Sequence, residues 1–221
     1  MLQFALRGIG KNIVIAFTLV LAGCVTTVPE LASVDTPAWQ ARQVRITALE
    51  NWELSGRVVL QTKKEGWHLN LNWKRQAQQQ QLDLAGPLNK GHIRVEQDRD
   101  QVILIDANQR QYTSDTIQNL IYETTGWLLP IESLVYWVRG IPEPASINRV
   151  QLDEQGRLRY LEQSGWFVEY ANYVAVNGHD LPDRIFLTRS ATAANHGLPT
   201  VKVKLAVNQW RLDKPGSPKH H

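Results

Sequence analysis

The chain has 221 residues, 43% hydrophobic and 20% charged, with a formal net charge of +3 and a single cysteine. This length suits one domain with a sizeable core, and a lone cysteine excludes an internal disulfide framework. The charges are interspersed without a basic block, so the pI of about 9.0 is no footprint of nucleic-acid binding.

Arg7 and Lys11 give a basic start, Ile13 to Leu21 is a short apolar run broken by Thr18, and Leu21-Ala22-Gly23-Cys24 follows. That order marks a secretory signal, and the run is too short to span a bilayer comfortably. The LAGC ending resembles the bacterial lipobox, whose cysteine is lipidated and becomes the first residue of the mature chain. A plain signal with a chance cysteine is the other reading, but Cys24 falls at the one position that lipidation requires. Removing residues 1–23 as a lipoprotein signal leaves 198 residues and lowers the formal charge to +1. Each buried CH2 of an acyl chain contributes about 0.8 kcal/mol, so one chain anchors marginally. A lipobox cysteine of this kind carries three, which makes anchoring stable. Val25 stands where, in many Gram-negative bacteria, an Asp retains a lipoprotein in the inner membrane, so this resemblance implies the outer membrane. Residues 24–36 form the lipidated cysteine and a flexible tether, small and polar, with Pro29 and no period. The twelve residues after Cys24 span about 40 Å at roughly 3.3 Å each.

Thr36-Pro37 opens a helix, with Thr as N-cap and Pro at the first helical position. Trp39, Ile46, Leu49 and Trp52 share one face, which carries the helix to about Asn51. The period then changes to two. Trp67, Leu69, Leu71 and Trp73 alternate with His68, Asn70 and Asn72, a half-buried strand with one heavily apolar face. Leu82 with Leu84, Ile93 with Val95, Val102 to Ile105, and Arg110 to Thr113 add further strands. A helix capped at Ser114-Asp115, with Gln118 in capping-box position, carries Ile117, Leu120, Ile121 and Thr124 and stops at Gly126. Another carries Ile131, Leu134, Val135 and Val138 and stops at Gly140 and Pro142. The link between them, Gly126-Trp127-Leu128-Leu129-Pro130, is unusually apolar for a loop. Alternation resumes near Val150 and runs through Leu158 with Tyr160, Trp166 to Tyr170, and Ile185 with Leu187. It ends on Val201, Val203, Leu205 and Val207, with Lys202 and Lys204 on the wet face. About ten strands and three helices make a mainly β (α+β) chain, and clean alternation implies antiparallel strands curled into a sheet or barrel. Residues 37–213 form a single domain and 214–221 a polar tail.

No GxSxG elbow, HExxH, paired cysteines or Walker loop outside the signal points to an enzyme. The histidines at 68, 92, 179 and 196 lack metal-ligand spacing, so neither a metal nor a cofactor is expected. Two features remain. Trp67, Leu69, Leu71, Trp73, Leu82 and Leu84 line either a filled core or an acyl-chain cavity, and periodicity does not separate the two. The turn Ala85-Gly86-Pro87-Leu88-Asn89-Lys90-Gly91-His92 carries a large apolar side chain at its tip. Leu88 is either a loop anchor folded back on the body or a side chain meant to enter something apolar outside it.

The order of these features resembles the outer-membrane lipoprotein receptors of the LolB family over nearly the whole mature chain. The matching pieces are LAGC, Thr36-Pro37-Ala38-Trp39-Gln40, and a small turn at Gly56 before the first strands. Leu104-Ile105-Asp106, Gln109 to Asp115, Thr125-Gly126 with Leu129-Pro130, and Ser133-Leu134 follow. Trp137, Gly140-Ile141-Pro142, Leu152-Asp153, Leu181-Pro182 and Asn208-Gln209-Trp210 complete the series. Gly86-Pro87-Leu88-Asn89 matches a loop that the family writes Asn-Pro-Leu-Gly, with departures at Gly86 and Asn89 that still permit a turn. The resemblance implies a half-open antiparallel barrel of about ten or eleven strands and three helices around an apolar cavity. It implies a monomeric receptor, lipid-anchored in the inner leaflet of the outer membrane and facing the periplasm. Such a receptor takes acylated lipoproteins from the periplasmic carrier LolA and places them in the membrane lipid without ATP, with Pro87 and Leu88 as the membrane-insertion loop. The competing reading is a structural or assembly lipoprotein that binds a protein partner through its sheet edges.

Overall fold

Period-two alternation over most of the chain leaves each strand one apolar face, and those faces can be buried only together. The computed structural model describes residues 36–87, 91–99, 101–144, 147–189 and 200–212. They belong to a compact unit that begins at Leu31. Cys24, Leu88 and residues 214–221 lie outside the described residues.

After the helix α1 (Pro37–Thr47) come β1 (Asn51–Thr62), β2 (Gly66–Gln76), β3 (Gln79–Ala85), β4 (Ile93–Asp98), β5 (Gln101–Ile105) and β6 (Gln111–Ser114). Helices α2 (Ile117–Thr125) and α3 (Ile131–Trp137) follow. The chain closes with β7 (Ile147–Leu152), β8 (Leu158–Gln163), β9 (Trp166–Val176), β10 (His179–Arg189) and β11 (Val201–Leu212). All eleven strands form one sheet, in the order β6-β5-β4-β3-β2-β1-β11-β10-β9-β8-β7. Every pairing is antiparallel, including that of the first strand with the last, where Trp52 faces Leu212 and Thr62 faces Val201. An open sheet this wide curls under its own twist. Strands β6 and β7 stay unpaired with each other, which makes a half-open barrel, and the two helices bridge these edges in sequence.

The inward face is continuous and apolar. Leu54 and Leu60 of β1, Leu71 and Trp73 of β2, Val95, Leu104, Leu161, Val168, Ile185, Leu187 and Val203 are all buried. Helices α2 and α3 join the same core through Ile117, Leu120, Ile121, Ile131 and Val135. His68, Lys202 and Lys204 point to water on the other face.

Three expectations need correction. The first helix ends at Thr47, not near Asn51, and carbonyls at its end and just beyond it accept from a buried side chain. Arg139, buried and without a carboxylate partner among the described residues, donates Nη1 to the carbonyls of Ile46 at 3.1 Å and Leu49 at 3.0 Å. Its Nε donates to Val135 at 2.9 Å. Burial and the nearby Arg75 charge pull its pKa down to about 10, which leaves it charged at neutral pH. Trp52 therefore sits in β1, the strand that alternation alone did not reveal. Second, Gly56 is no turn before the strands but lies within β1, opposite a bulge in β11: Ser55 faces Gln209 and Gly56 faces Val207, which leaves Asn208 as the extra residue. Third, the cap of α2 is Thr116, whose hydroxyl accepts from Asn119 N at 3.2 Å, rather than Ser114 or Asp115. Gly126 closes that helix in the left-handed conformation, φ 74°.

The bulge generates a prediction. A Cβ at Gly56 would lie 2.2 Å from the carbonyl oxygen of Ala206 on the neighbouring strand. Gly56→Ala should lower stability by about 1–3 kcal/mol as the strands are forced apart. Gly66→Ala, whose nearest neighbour would be 3.9 Å away, should change it by less than about 0.5 kcal/mol. Urea midpoints of the two variants decide this.

Candidate functional site

Packing along the inward face differs between its two ends. At one end lies an aromatic cluster, with Trp52 edge-on to Trp73 at 5.3 Å and to Trp210 at 5.8 Å. Trp210 Nε1 donates to the Pro182 carbonyl at 2.9 Å, and Trp73 Nε1 donates to Gln80 Oε1 at 3.0 Å. Gln80 in turn donates to Gln97 at 2.6 Å. Trp52 is thus held between two hydrogen-bonded rings, and this close packing makes a rigid floor.

The other end is looser. Strand β2 begins there, just after the hairpin at Thr62–Glu65, and its inward side chains Trp67 and Leu69 are only half-buried. Above them lies the link between α2 and α3. Trp127 meets Trp67 edge-on at 5.1 Å, and Trp127, Leu128, Leu129 and Pro130 are all half-buried. The link is held at few points. Trp127 N donates to Thr125 Oγ1 at 3.1 Å, and Arg189 Nη1, from the end of β10, donates to the Leu128 carbonyl at 3.2 Å. Arg189 is in phase with Ile185 and Leu187 and is buried among apolar groups, stacked over Trp166 at 5.1 Å. Burial lowers its pKa.

Beside this link, a cavity of about 260 Å³ opens between the end of α2 and strands β4 to β6. Ile93, Leu104 and Tyr112 face Glu123, Thr124 and Thr125 across it. It falls below the about 300–1,000 Å³ of pockets that enclose a drug-sized ligand, so several acyl chains fit only if the link and helices move. A second cavity, of about 280 Å³, is bounded by Lys74, Gln76, Gln79, Gln81, Glu96 and other polar groups, a surface suited to water rather than hydrocarbon. Among the described residues no group of three or more His, Cys, Asp or Glu could hold a metal ion, and no helix is long and apolar enough to cross a membrane.

The six residues singled out as lining candidates fall into two groups. Trp67 and Leu69 stand at the looser end. Leu71, Trp73, Leu82 and Leu84 are buried in the continuous core. The structure adds two groups that the sequence reading did not weigh, Trp127 as partner of Trp67 and Arg189 beneath the link. The period of β10 held the only available signal, since it places Arg189 in line with inward Ile185 and Leu187.

The loop carrying Pro87 and Leu88 joins β3 to β4. Strand β2 runs away from the Thr62–Glu65 hairpin and β3 returns, so this loop emerges at the looser end. Pro87 is exposed, and Gly91 closes the loop at φ 68°. Its base is fixed by Asp83, which accepts from Arg94 Nε at 2.7 Å and Gln81 Nε2 at 2.7 Å and pairs with His92 at 3.1 Å. Burial pushes the Asp83 carboxyl up, but these donors outweigh it and hold its pKa below the usual value.

A wide antiparallel sheet curled over two helices, with two edge strands left unpaired, defines the class of half-open barrels. Solved structures share this fold. A domain assigned to outer membrane lipoprotein sorting from Vibrio parahaemolyticus superposes with a TM-score of 0.53 at 11% identity, over 81% of this chain and 92% of that one. A LolA superfamily protein from Nitrosomonas europaea does so with a TM-score of 0.50 at 6% identity, over 80% and 94%. Within the class the assignment is narrower. The family model described as outer membrane lipoprotein LolB matches residues 50–210. Outer-membrane lipoprotein LolB of Pseudomonas syringae pv. syringae is 35% identical over 208 residues, 92% of this chain and 97% of the relative. That of Pseudomonas fluorescens is 35% identical over 207 residues, with the same coverage. That of Pseudomonas putida is 34% identical over 202 residues, 89% of this chain and 94% of the relative. The chain belongs to the outer membrane lipoprotein LolB family.

The contrast between the two ends is measurable. Trp52→Ala should cost about 3–5 kcal/mol, as for a fully buried aromatic. Trp67→Ala should cost only about 1–2 kcal/mol, the share of a half-buried ring and one edge contact. Equal losses in urea unfolding would contradict a loose end at Trp67.

Proposed function

We propose that this chain is a lipid-anchored receptor that accepts lipoproteins from the periplasmic carrier LolA and inserts them into the outer membrane. The observation that carries this reading is the half-buried apolar end, where Trp67 and Leu69 lie under the Trp127–Leu129 link, in a chain of the LolB family. Acyl chains are strongly disfavoured in water, so transit between membranes requires apolar shelter. The end at Trp67 offers that shelter, with room gained by lifting the link. Movement without ATP must run downhill, and only differences in affinity between carrier, receptor and bilayer can drive it.

In this reading Cys24 carries the acyl anchor, and the tether lets a monomer face the periplasm from the inner leaflet. Trp67 and Leu69 are the entry to the shelter, with Leu71, Trp73, Leu82 and Leu84 behind them. Pro87 and Leu88 are the membrane-insertion loop. Burying one leucine gives roughly 1.5–3 kcal/mol, enough for transient contact with a leaflet and too little for anchoring. The exposure of Pro87 and the position of this loop at the entry end support that role.

The test uses a Cys24→Ala form without residues 1–23, mixed with LolA loaded with a triacylated lipoprotein and with phospholipid vesicles. Cargo is expected to leave the carrier without ATP and to reach the vesicles. Leu88→Glu should leave the first step intact and slow the second at least tenfold. Cargo that stays on the carrier while the protein is folded would overturn the receptor reading and favour a partner-binding lipoprotein.

A further inference from the structure

Among the described residues, four buried side-chain N–H groups lack a hydrogen-bond partner: Arg42 Nε, Trp52 Nε1, Trp127 Nε1 and Arg189 Nε. Buried donors are almost always satisfied, so each unpaired one calls for an explanation. Two of the four belong to the entry, Trp127 in the link and Arg189 bonded to it. Arg189 Nη1 is bonded to the carbonyl of Leu128, the residue after Trp127, so the two side chains serve the same short link. Arg189 is 5% exposed. Its Nε faces no acceptor, and no carboxylate forms an ion pair with it among the described residues. The neighbouring rings are apolar: Trp67 beneath Trp127 and Trp166 beneath Arg189. By contrast, Trp73, Trp137 and Trp210 each donate Nε1 to an oxygen.

We propose that Arg189 Nε and Trp127 Nε1 form a polar seat for the ester carbonyl oxygens at the head of entering acyl chains. The inference rests on the receptor reading and names what the entry recognises. Hydrocarbon tails offer no acceptor, but each chain esterified to a glyceryl group begins with a carbonyl. When the tails occupy the apolar interior, those carbonyls remain at the rim, at the depth of the link. The link carries one donor and lies over the other, and chain entry that lifts it hands both an acceptor. A guanidinium without a carboxylate suits such oxygens, because no internal ion pair has to be broken first. The seat also gives the receptor a means of distinguishing an esterified lipid from any other apolar surface.

The experiment measures binding of three probes to the Cys24→Ala form lacking residues 1–23. They are a synthetic tripalmitoyl-cysteinyl peptide, its analogue with ether links in place of the two esters, and palmitate. The native sequence at Trp127 and Arg189 is expected to bind the ester peptide about tenfold more tightly than the ether analogue. Trp127→Phe keeps an aromatic side chain against Trp67, though a smaller one, and removes an N–H that has no partner, so it should lower the urea midpoint only slightly. It should weaken ester binding about three- to tenfold, as for one lost hydrogen bond, and leave ether binding as it was. Arg189→Met should act in the same direction. Equal weakening of ester and ether binding, or none with Trp127→Phe, overturns the seat and leaves the two residues as packing. Palmitate bound more tightly than the ester peptide, and lost with Arg189→Met, also overturns it, in favour of a free carboxylate. Binding of none of the probes removes the receptor reading itself.

Discussion

The pairing of β1 with β11 is the constraint on which the rest depends. It joins the first strand to the last along twelve-residue strands and places both in the middle of the sheet. Two strands in mid-chain, β6 and β7, are thereby left as the edges. The segment between them must cross from one edge to the other, and it does so as two short helices and an apolar link. The opening of the half-barrel and its cover are therefore consequences of one pairing. Gly56 permits it, because no side chain fits where β1 lies against Ala206.

Along the interior, packing quality changes from one end to the other. Trp52, Trp73 and Trp210 interlock at the floor, and Arg139 ties the end of α1 to α3 through three carbonyls. At the entry, among the described residues, the Arg189 contact, the Trp127 N–Thr125 Oγ1 bond, one pair of rings and partial packing of Leu129 hold the link. Elements with few contacts open at lower free energy than the cores they cover. The proposed receptor role calls for this asymmetry: a floor that preserves the fold and a cover whose displacement costs little. The unpaired donors at the cover add to it, since they favour the state in which an acceptor has arrived.

Much of this was legible in the sequence. Ten of the eleven strands were legible, most of them by alternation, because one face is wet and the other is not, and β5 as a short apolar run. Alternation missed β1 because Trp39, Ile46, Leu49 and Trp52 fall at helical spacing by coincidence, and because Gly56 holds an inward position without a side chain while Val59 puts an apolar one on the other face. The inward set on β2 was readable, but not its division into Leu71 and Trp73 in the core and Trp67 and Leu69 at the entry. That division depends on which neighbours reach each residue across the sheet. Trp127 sits in a loop, where no period exists to place it. Arg189 was in phase with the core, yet its charge argued for water. Local patterns thus placed the sheet, while the entry came from contacts between residues far apart in the chain.

The central claim is that acyl chains enter beneath Trp67 and Trp127. Bromine on a hydrocarbon chain quenches tryptophan on contact, so a dibromopalmitoyl lipopeptide reports directly where the chain lies. The account predicts that replacing Trp67 and Trp127 by Phe removes a large share of the quenching, and that Trp52→Phe removes little. Quenching that survives the loss of both entry tryptophans would contradict it.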